Sequence, residues 1–314
     1  MRVLVVTSLY PTPERPERGR FVADQVESLR RIEGVDVDVF QFEPGAANYV
    51  TAARALRRRH GRDRYDVVHA HHGLGGWTAR ALGRQAPLLV TFHGTDLEHP
   101  IVRWMSRALA RAASLPAAVS ADLALRRLRG AGRSRQVAVL PMGIDLERFR
   151  PMPRRDARAA LGLDPDGRYL LFPADPARPE KRHDRARALA QRVDALLLAL
   201  ERVPPERVPL FINAAAAVVV TSEREGFGLA ALEALACDVP VLSTNVGIAE
   251  LALSGIEGTL CAPFDTAAWS TVAGDHLEDP DPRVRGRIRA SLYSRDRMAR
   301  RVFQTYRALT EAVA

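Results

Sequence analysis

Short apolar runs alternate with helical patterns along nearly all of this 314-residue chain, and that rhythm narrows the available folds more than any other feature. In the first half, residues 2–9, 35–42, 65–72, 87–94, 116–120 and 136–143 read as strands. Helical patterns fall near 21–32, 49–60, 76–84, 99–113 and 121–129. The second half repeats the rhythm with strands at 168–174, 194–200, 217–222, 239–245 and 258–263, and helices in the gaps. Strands joined through helices pair in parallel and need cover on both faces, so each half predicts a doubly wound α/β sheet. The two halves break apart in residues 143–155, which are rich in Pro and Arg and carry no period. Ligands in open α/β sheets bind outside the carboxyl ends of strands, and a cleft between two facing domains is the default site.

Composition bounds the remaining possibilities. A chain of this length suggests two domains, and 47% hydrophobic residues suffice for their cores. No apolar run reaches about 18 residues, so no membrane span is expected. The opening MRVLVVTSLYPT lacks a small-residue cleavage site and reads as a first strand. Cys237 and Cys261 fit free thiols in a reducing cytosol, although one disulfide stays open. The net charge of +9 comes almost wholly from arginine, and Lys181 is the single lysine. No nucleic-acid module accompanies that charge. Two basic stretches, 54–64 and 103–111, are either ordinary solvated helix faces or surfaces for anionic lipid headgroups.

Residues 221–251 carry the most chemistry. Glu225 and Glu233 stand eight positions apart, with Gly226, Phe227 and Gly228 between them. The Ala-rich run after Gly228 reads as a buried helix, whose N-terminal amides and partial positive charge suit phosphate. Glycines there allow close approach to the backbone. Eight residues of helix rise by about 12 Å, comparable to the reach from a ribose to a sugar across a diphosphate. The other reading is a capped amphipathic helix with Glu233 in solvent.

The segment closely resembles the E-x7-E signature of the family-four retaining glycosyltransferases, which have the GT-B fold. The matching residues are Ser222, Glu225, Gly226, Phe227, Gly228, Glu233, Ala234, Ala236, Pro240 and Val241. The resemblance implies two Rossmann-like domains facing across a cleft: 1–150 on the acceptor side and 151–280 binding the donor nucleotide. It also implies that helices in 281–314 cross back to the first domain. It assigns Glu225 to the donor sugar and Glu233 to the donor ribose, with Gly226, Phe227, Gly228 and Leu229 at the donor.

Other loops extend the resemblance. Residues 173–184 follow a strand, and Arg178 and Lys181 match the basic pair expected at the donor diphosphate. The usual Gly-Arg start of that loop is here Ala174-Asp175, and a merely solvated basic loop is the alternative. The phrase TFHGTD resembles the family's His-Gly-x-Asp segment, which implies that His93 lies at the donor sugar with Asp96 supporting the loop. Gly19, in the loop 8–26, stands where the family's glycine-rich loop touches the sugar-phosphate, although the prolines there could instead stiffen it. His69, His71 and His72 read as a strand-end loop on the acceptor side; a metal site lacks an acidic or cysteine partner nearby. Gly143 and Asp145 fall in a phrase common just before the interdomain linker.

Departures are equally clear. Asp238 stands for the usual glycine after Ala-Cys, a single Gly247 stands for a glycine pair, and Ala215 or Ala216 replaces an acidic residue. The stretch from 184 to 217 is short, in a region that normally cups the nucleobase. The expected activity is retaining transfer of a hexosyl- or N-acetylhexosaminyl-type group from a nucleotide-diphosphate sugar. The family-typical acceptor is a cell-surface polysaccharide or lipid-linked precursor. No cofactor and no metal is expected, because positive side chains replace the ion. The expected location is cytoplasmic, with peripheral contact at an anionic membrane face. The alternatives are a nucleotide-sugar epimerase and a non-catalytic sugar-nucleotide-binding protein.

Overall fold

A computed structural model describes residues 1–128 and 136–312. The chain divides into two compact units: Met1–Gly143 with Arg295–Ala314, and Ile144–Ser294. The sequence reading puts the boundaries at 150 and 280. The difference has a physical cause. Ile144 N donates to Tyr293 O at 2.7 Å, and Ile144 and Ser294 form a backbone bridge, so both flanks of the second unit are tied to each other.

Unit 1 contains β1 (Arg2–Thr7), α1 (Arg20–Arg30), β2 (Asp36–Gln41), α2 (Ala46–His60), β3 (Val67–His71), α3 (Gly73–Ala79), β4 (Leu88–Phe92), α4 (Pro100–Ala112), β5 (Leu115–Ala118), α5 (Ala121–Arg127) and β6 (Ala138–Val139). Its six strands are ordered β2-β1-β3-β4-β5-β6 and pair in parallel throughout. β1, β3 and β4 are central and almost wholly buried, as parallel strands covered on both faces must be. The strand expected over 136–143 shrinks to two residues, because Pro141 has no N–H to continue the ladder. The basic stretch 54–64 is helical only to His60. Residue 129 of the helix expected over 121–129 lies outside the described residues.

Unit 2 contains α6 (Arg154–Leu161), β7 (Tyr169–Phe172), α7 (His183–Arg192), β8 (Leu196–Ala199), α8 (Val208–Ala214), β9 (Ala217–Val220), α9 (Leu229–Ala236), β10 (Val241–Ser243), α10 (Ala249–Leu253), β11 (Leu260–Cys261), α11 (Thr266–Glu278) and α12 (Arg287–Ser291). Its five parallel strands are ordered β11-β10-β9-β7-β8. The short stretch before 217 leaves β8 as an edge strand with Leu196 exposed, followed by the seven-residue α8. Trp269 of α11 is fully buried among Leu170, Phe172, Leu189 and Val219. Cys237 and Cys261 are both free.

The helical tail expected over 281–312 is broken. α12 begins only at Arg287, after Pro282, and belongs to unit 2; residues 292–294 separate it from α13 (Arg295–Glu311), which belongs to unit 1. Met298, Val302, Tyr306 and Leu309 recur at spacings of four, four and three, one face of a helix, and all are buried with α1 and β1 residues in one core. No helix among the described residues is long and apolar enough to cross a membrane.

Asp238 adopts a left-handed conformation, with φ of 56°, just past the end of α9. A glycine would adopt this without strain. Here the carboxylate offsets the strain: Oδ1 accepts from Arg287 N at 2.7 Å and so fixes the start of α12.

Candidate functional site

In unit 2 the loops after β7, β9 and β10 are stitched together by their own backbone and hydroxyl groups. β7 and β9 are neighbours, so their loops emerge side by side at the carboxyl edge. Glu223 N donates to Glu180 O at 2.9 Å. Thr221 Oγ1 sits 3.0 Å from Lys181 O and 2.9 Å from Arg182 O, which fixes the backbone that carries Lys181. Thr244 Oγ1 donates to Ser222 O at 2.5 Å, which ties in the β10 loop.

That frame brings Lys181 and Glu225 together. Lys181 Nζ lies 2.6 Å from each carboxylate oxygen of Glu225, with side chains only 12% and 14% exposed. Ser222 Oγ donates to Glu225 Oε1 at 2.8 Å. A charged pair this sheltered is held by geometry as well as attraction, because both ions are largely cut off from water. Arg178 is not part of it. Its guanidinium is half exposed and bonds Glu180 Oε1 at 2.9 and 2.6 Å. Arg178 lines a separate open cavity of about 400 Å³ with Pro176, Arg182, His183 and Arg187. Burial opposes ionisation of Glu180, yet hydrogen bonds from its own backbone N–H and from Arg178 keep its carboxyl below the usual range.

Gly247 explains how the β10 loop comes so close. Its φ is +57°, and a Cβ there would sit 2.3 Å from Phe227 O and 3.0 Å from the Glu225 Cβ. Ile248 N donates to Phe227 O at 2.8 Å. The single glycine that remains of the expected pair is therefore the one the packing requires. Phe227 itself is buried, its ring 6.1 Å from that of Tyr293, so its backbone and not its side chain faces the loop.

Gly228, with φ of 94°, precedes α9 and no side chain caps the helix. The eight-residue helical rise expected between the glutamates does not exist. Glu225 lies in the loop, and Glu233 stands four residues beyond Leu229, the first helical residue. Four residues rise by about 6 Å. Glu233 is half exposed in a helix whose residues from Ala231 on are otherwise buried.

Unit 1 gathers Gly19, His93 and Asp96. Gly19 has φ of +64°, and a Cβ there would lie 2.3 Å from the Leu9 carbonyl carbon, so only glycine lets α1 begin against residues 9–10. Two residues on, the Phe21 ring lies 4.8 Å from that of His93. Asp96 is buried and organises the loop: Oδ1 accepts from His93 N at 3.2 Å and Gly94 N at 3.0 Å, and Oδ2 from Gly73 N at 3.1 Å.

His69 and His71 do not form a strand-end loop. Both are fully buried inside β3, with rings 4.4 Å apart, and only His72 begins the loop. His69 Nδ1 lies 2.7 Å from the Tyr306 hydroxyl and Nε2 2.8 Å from Thr91 Oγ1. His71 Nδ1 lies 3.0 Å from His93 Nε2. Burial pushes His69 down to about 3. Burial first, and then neighbouring histidines, hold His71 and His93 well below the ordinary imidazole range. Among the described residues no group of three or more His, Cys, Asp and Glu side chains is placed to hold a metal ion.

Comparison with known proteins fixes the family. Residues 1–148 match the model described as Glycosyltransferase Family 4, and residues 170–279 match Glycosyl transferases group 1. A D-inositol 3-phosphate glycosyltransferase of Frankia alni is 31% identical, over 77% of this chain and 74% of its own. The chain belongs to glycosyltransferase family 4. A relative of the same description from Nocardia farcinica is 34% identical over 72% of this family-4 chain, which spans 62% of the relative's length. Two solved structures share the fold. Sucrose-phosphate synthase of Thermosynechococcus elongatus has a TM-score of 0.77 at 21% identity and covers 99% of each chain. Anabaena HepE in complex with UDP has a TM-score of 0.71 at 17% identity, over 98% of this chain and 100% of the other. Both place the family-4 chain among GT-B folds.

The family signature thus sits on a loop that other loops hold rigid. Thr221 and Thr244 were not singled out from the sequence. Their signal was present: each is a hydroxyl directly after a buried strand, where backbone groups must find partners. Alternation puts His69 and His71 on one strand face, but their full burial inside β3 was not read from it.

Proposed function

We propose that this chain is a retaining glycosyltransferase that moves a hexosyl- or N-acetylhexosaminyl-type group from a nucleotide-diphosphate sugar to an acceptor hydroxyl. The observation that carries this reading is the Lys181–Glu225 pair, clamped by Ser222 at the carboxyl edge of β7 and β9. Glu225 accepts hydrogen bonds from sugar hydroxyls, and Lys181 turns its charge to the diphosphate. The amides of the Gly226–Gly228 segment add to that field at the start of α9, and Glu233 takes the ribose hydroxyls. Arg178 joins the diphosphate only by leaving Glu180. His93, backed by Asp96, orients the sugar, and Gly19 keeps the first loop close to α1.

Chemically, the bond from the anomeric carbon to the phosphate oxygen breaks and its electron pair leaves with the diphosphate. The acceptor oxygen attacks the same face, and its proton passes to the departing phosphoryl oxygen. Lys181 stabilises the negative charge as it develops, the task a metal performs elsewhere. Support for a nucleotide-sugar donor comes from HepE, whose solved complexes hold UDP and UDP-glucose. The acceptor class we favour is a cell-surface polysaccharide or lipid-linked precursor.

One surface favours a peripheral membrane contact on the cytoplasmic side. α3 packs against both α2 and α4, and none of these three helices carries an acidic residue. Val50, Trp77, Ile101 and Trp104 are exposed on these helices, Trp104 by 72%, and α2 and α4 also carry Arg54, Arg58, Arg103 and Arg111. Interfacial tryptophan beside arginine suits anionic headgroups. Co-sedimentation with phosphatidylglycerol vesicles but not phosphatidylcholine vesicles, lost in Trp104→Ala, is the expected result.

A thermal-shift panel of UDP-, GDP-, ADP- and dTDP-sugars tests the donor, because a ligand of the folded state raises its melting point by mass action. The best donor is then followed for slow release of nucleotide diphosphate. Binding without release across donors and acceptors supports the non-catalytic alternative. Unchanged donor binding in Glu225→Ala and Lys181→Ala refutes the site.

A further inference from the structure

Two histidines of unit 1 are joined ring to ring, and the bond between them has a direction. His71 is fully buried. Its Nδ1 lies 3.0 Å from His93 Nε2, while its own Nε2 is buried with no partner among the described residues. Burial keeps both rings neutral near pH 7, so each carries one N–H and one lone pair. One ring must donate and the other accept.

If His93 donated from Nε2, the proton of His71 would sit on its own Nε2. That would leave a buried N–H with nothing to bond. Orphaned buried N–H groups are rarer than under-satisfied acceptors, because an unpaired donor loses its whole hydration. In the opposite arrangement His71 donates from Nδ1 and keeps only a lone pair at Nε2. His93 Nε2 then accepts, and the proton of His93 sits on Nδ1.

The rest of the surroundings hold this ring still. His72 stacks on His93 with centroids 5.0 Å apart and planes 18° apart. Phe21 packs 4.8 Å away, and Asp96 Oδ1 accepts from the His93 backbone N–H. Asp96 fixes the backbone, and among the described residues the hydrogen bond to a ring nitrogen comes from His71.

We propose that His71 is a positioning residue that locks His93 in its Nδ1–H form, so that His93 offers a ligand a neutral hydrogen-bond donor and not a base. The group recognised is an acceptor oxygen, a sugar hydroxyl or a phosphoryl oxygen. This rests on the reading of His93 as a sugar-orienting residue. It excludes proton abstraction by His93 from the acceptor, since the nitrogen with the lone pair is already engaged by His71.

Two-bond proton–nitrogen correlation spectra of the full chain, labelled with 15N-histidine and recorded near pH 7, read the tautomer directly; His93→Gln assigns the signal. His93 should show a protonated Nδ1 and an unprotonated Nε2. His71→Phe keeps the buried ring without a nitrogen. It should shift His93 toward the Nε2–H form and lower kcat for nucleotide diphosphate release about tenfold, with a smaller change in KM. His71→Asn, whose amide N–H stands near the position of Nδ1, should restore both. A wild-type His93 protonated at Nε2, or a tautomer unchanged in His71→Phe, overturns the proposal. If His71→Phe does not fold, the wild-type spectrum and His71→Asn decide. If the spectra agree but no sugar nucleotide is turned over, the tautomer assignment stands and the transferase reading falls.

Discussion

Breaking the Lys181–Glu225 pair one partner at a time, and then together, measures how firmly the candidate site is built. The chosen variants are Glu225→Gln, Lys181→Met and the double variant. Exposed ion pairs couple by about 0–1 kcal/mol, whereas stranding one partner of a buried pair costs about 3–5 kcal/mol. Here the ammonium lies 2.6 Å from both oxygens, and the side chains are 12% and 14% exposed. At an effective dielectric of about 20, attraction at that separation is about 6 kcal/mol before desolvation is subtracted. Desolvation of two sheltered ions removes most of it, which leaves a coupling of about 2 kcal/mol. Glu225→Gln strands the ammonium and should cost about 2–3 kcal/mol. Lys181→Met should cost less, about 1–2 kcal/mol, because Ser222 still donates to the carboxylate. The double variant should cost about 2 kcal/mol, well short of the sum. Urea unfolding followed through Trp269, which is fully buried in unit 2, gives these values once exposed Trp77 and Trp104 are changed to Phe. A coupling below about 0.5 kcal/mol would refute the view that Lys181 holds Glu225 in place.

Other expectations follow from the same geometry. His69, His71 and His93 stay unprotonated in the folded chain, while the unfolded chain binds protons below about pH 6.5, so stability falls as pH drops through that value. Between about pH 7 and about pH 5.5 the loss is about 1 kcal/mol per histidine; for His69 it continues until the folded ring protonates at about 3. Urea midpoints at the two pH values should show it, His69→Gln should remove about a third of it, and a flat wild type would contradict it. Gly247→Ala places a Cβ 2.3 Å from Phe227 O at a positive φ, so it should destabilise unit 2 by about 2 kcal/mol or more and weaken sugar-nucleotide binding. A normal melt with normal binding would show that the β10 loop moves freely. Tyr306→Phe removes the hydroxyl that meets His69 Nδ1 and should cost about 1 kcal/mol by chemical denaturation. No loss there would mean that His69 does not depend on the helix.

The strand–helix rhythm was legible because parallel strands are continuous apolar runs, as in Val3–Val6 and Val218–Val220. Strand ends were less so: β6 and β11 have two residues each, since pairing depends on neighbours distant in the chain. Glu225 and Lys181 were both read as site residues, but their direct contact was not, because 44 positions separate them. Arg178 was assigned by its loop, and its nearer partner Glu180 claimed it. Glu233 was placed by counting helical residues from Glu225, whereas the glycines delay the helix to Leu229. The fate of Asp238 depended on Arg287, which no local pattern brings near.

The return of α13 sets an order on how the chain acquires its structure. Tyr306 supplies the hydroxyl beside His69, 237 positions earlier, and Met298, Val302 and Leu309 fill the core under β1. As the chain leaves the ribosome, the first six strands therefore emerge long before their core can be closed. Unit 2 is contiguous and can fold while unit 1 still waits. The expected order is the reverse of the usual one, in which the N-terminal domain matures first. Truncations within the last turns of α13 should then fail during synthesis, with the first unit exposed to proteases, however sound their Lys181–Glu225 site.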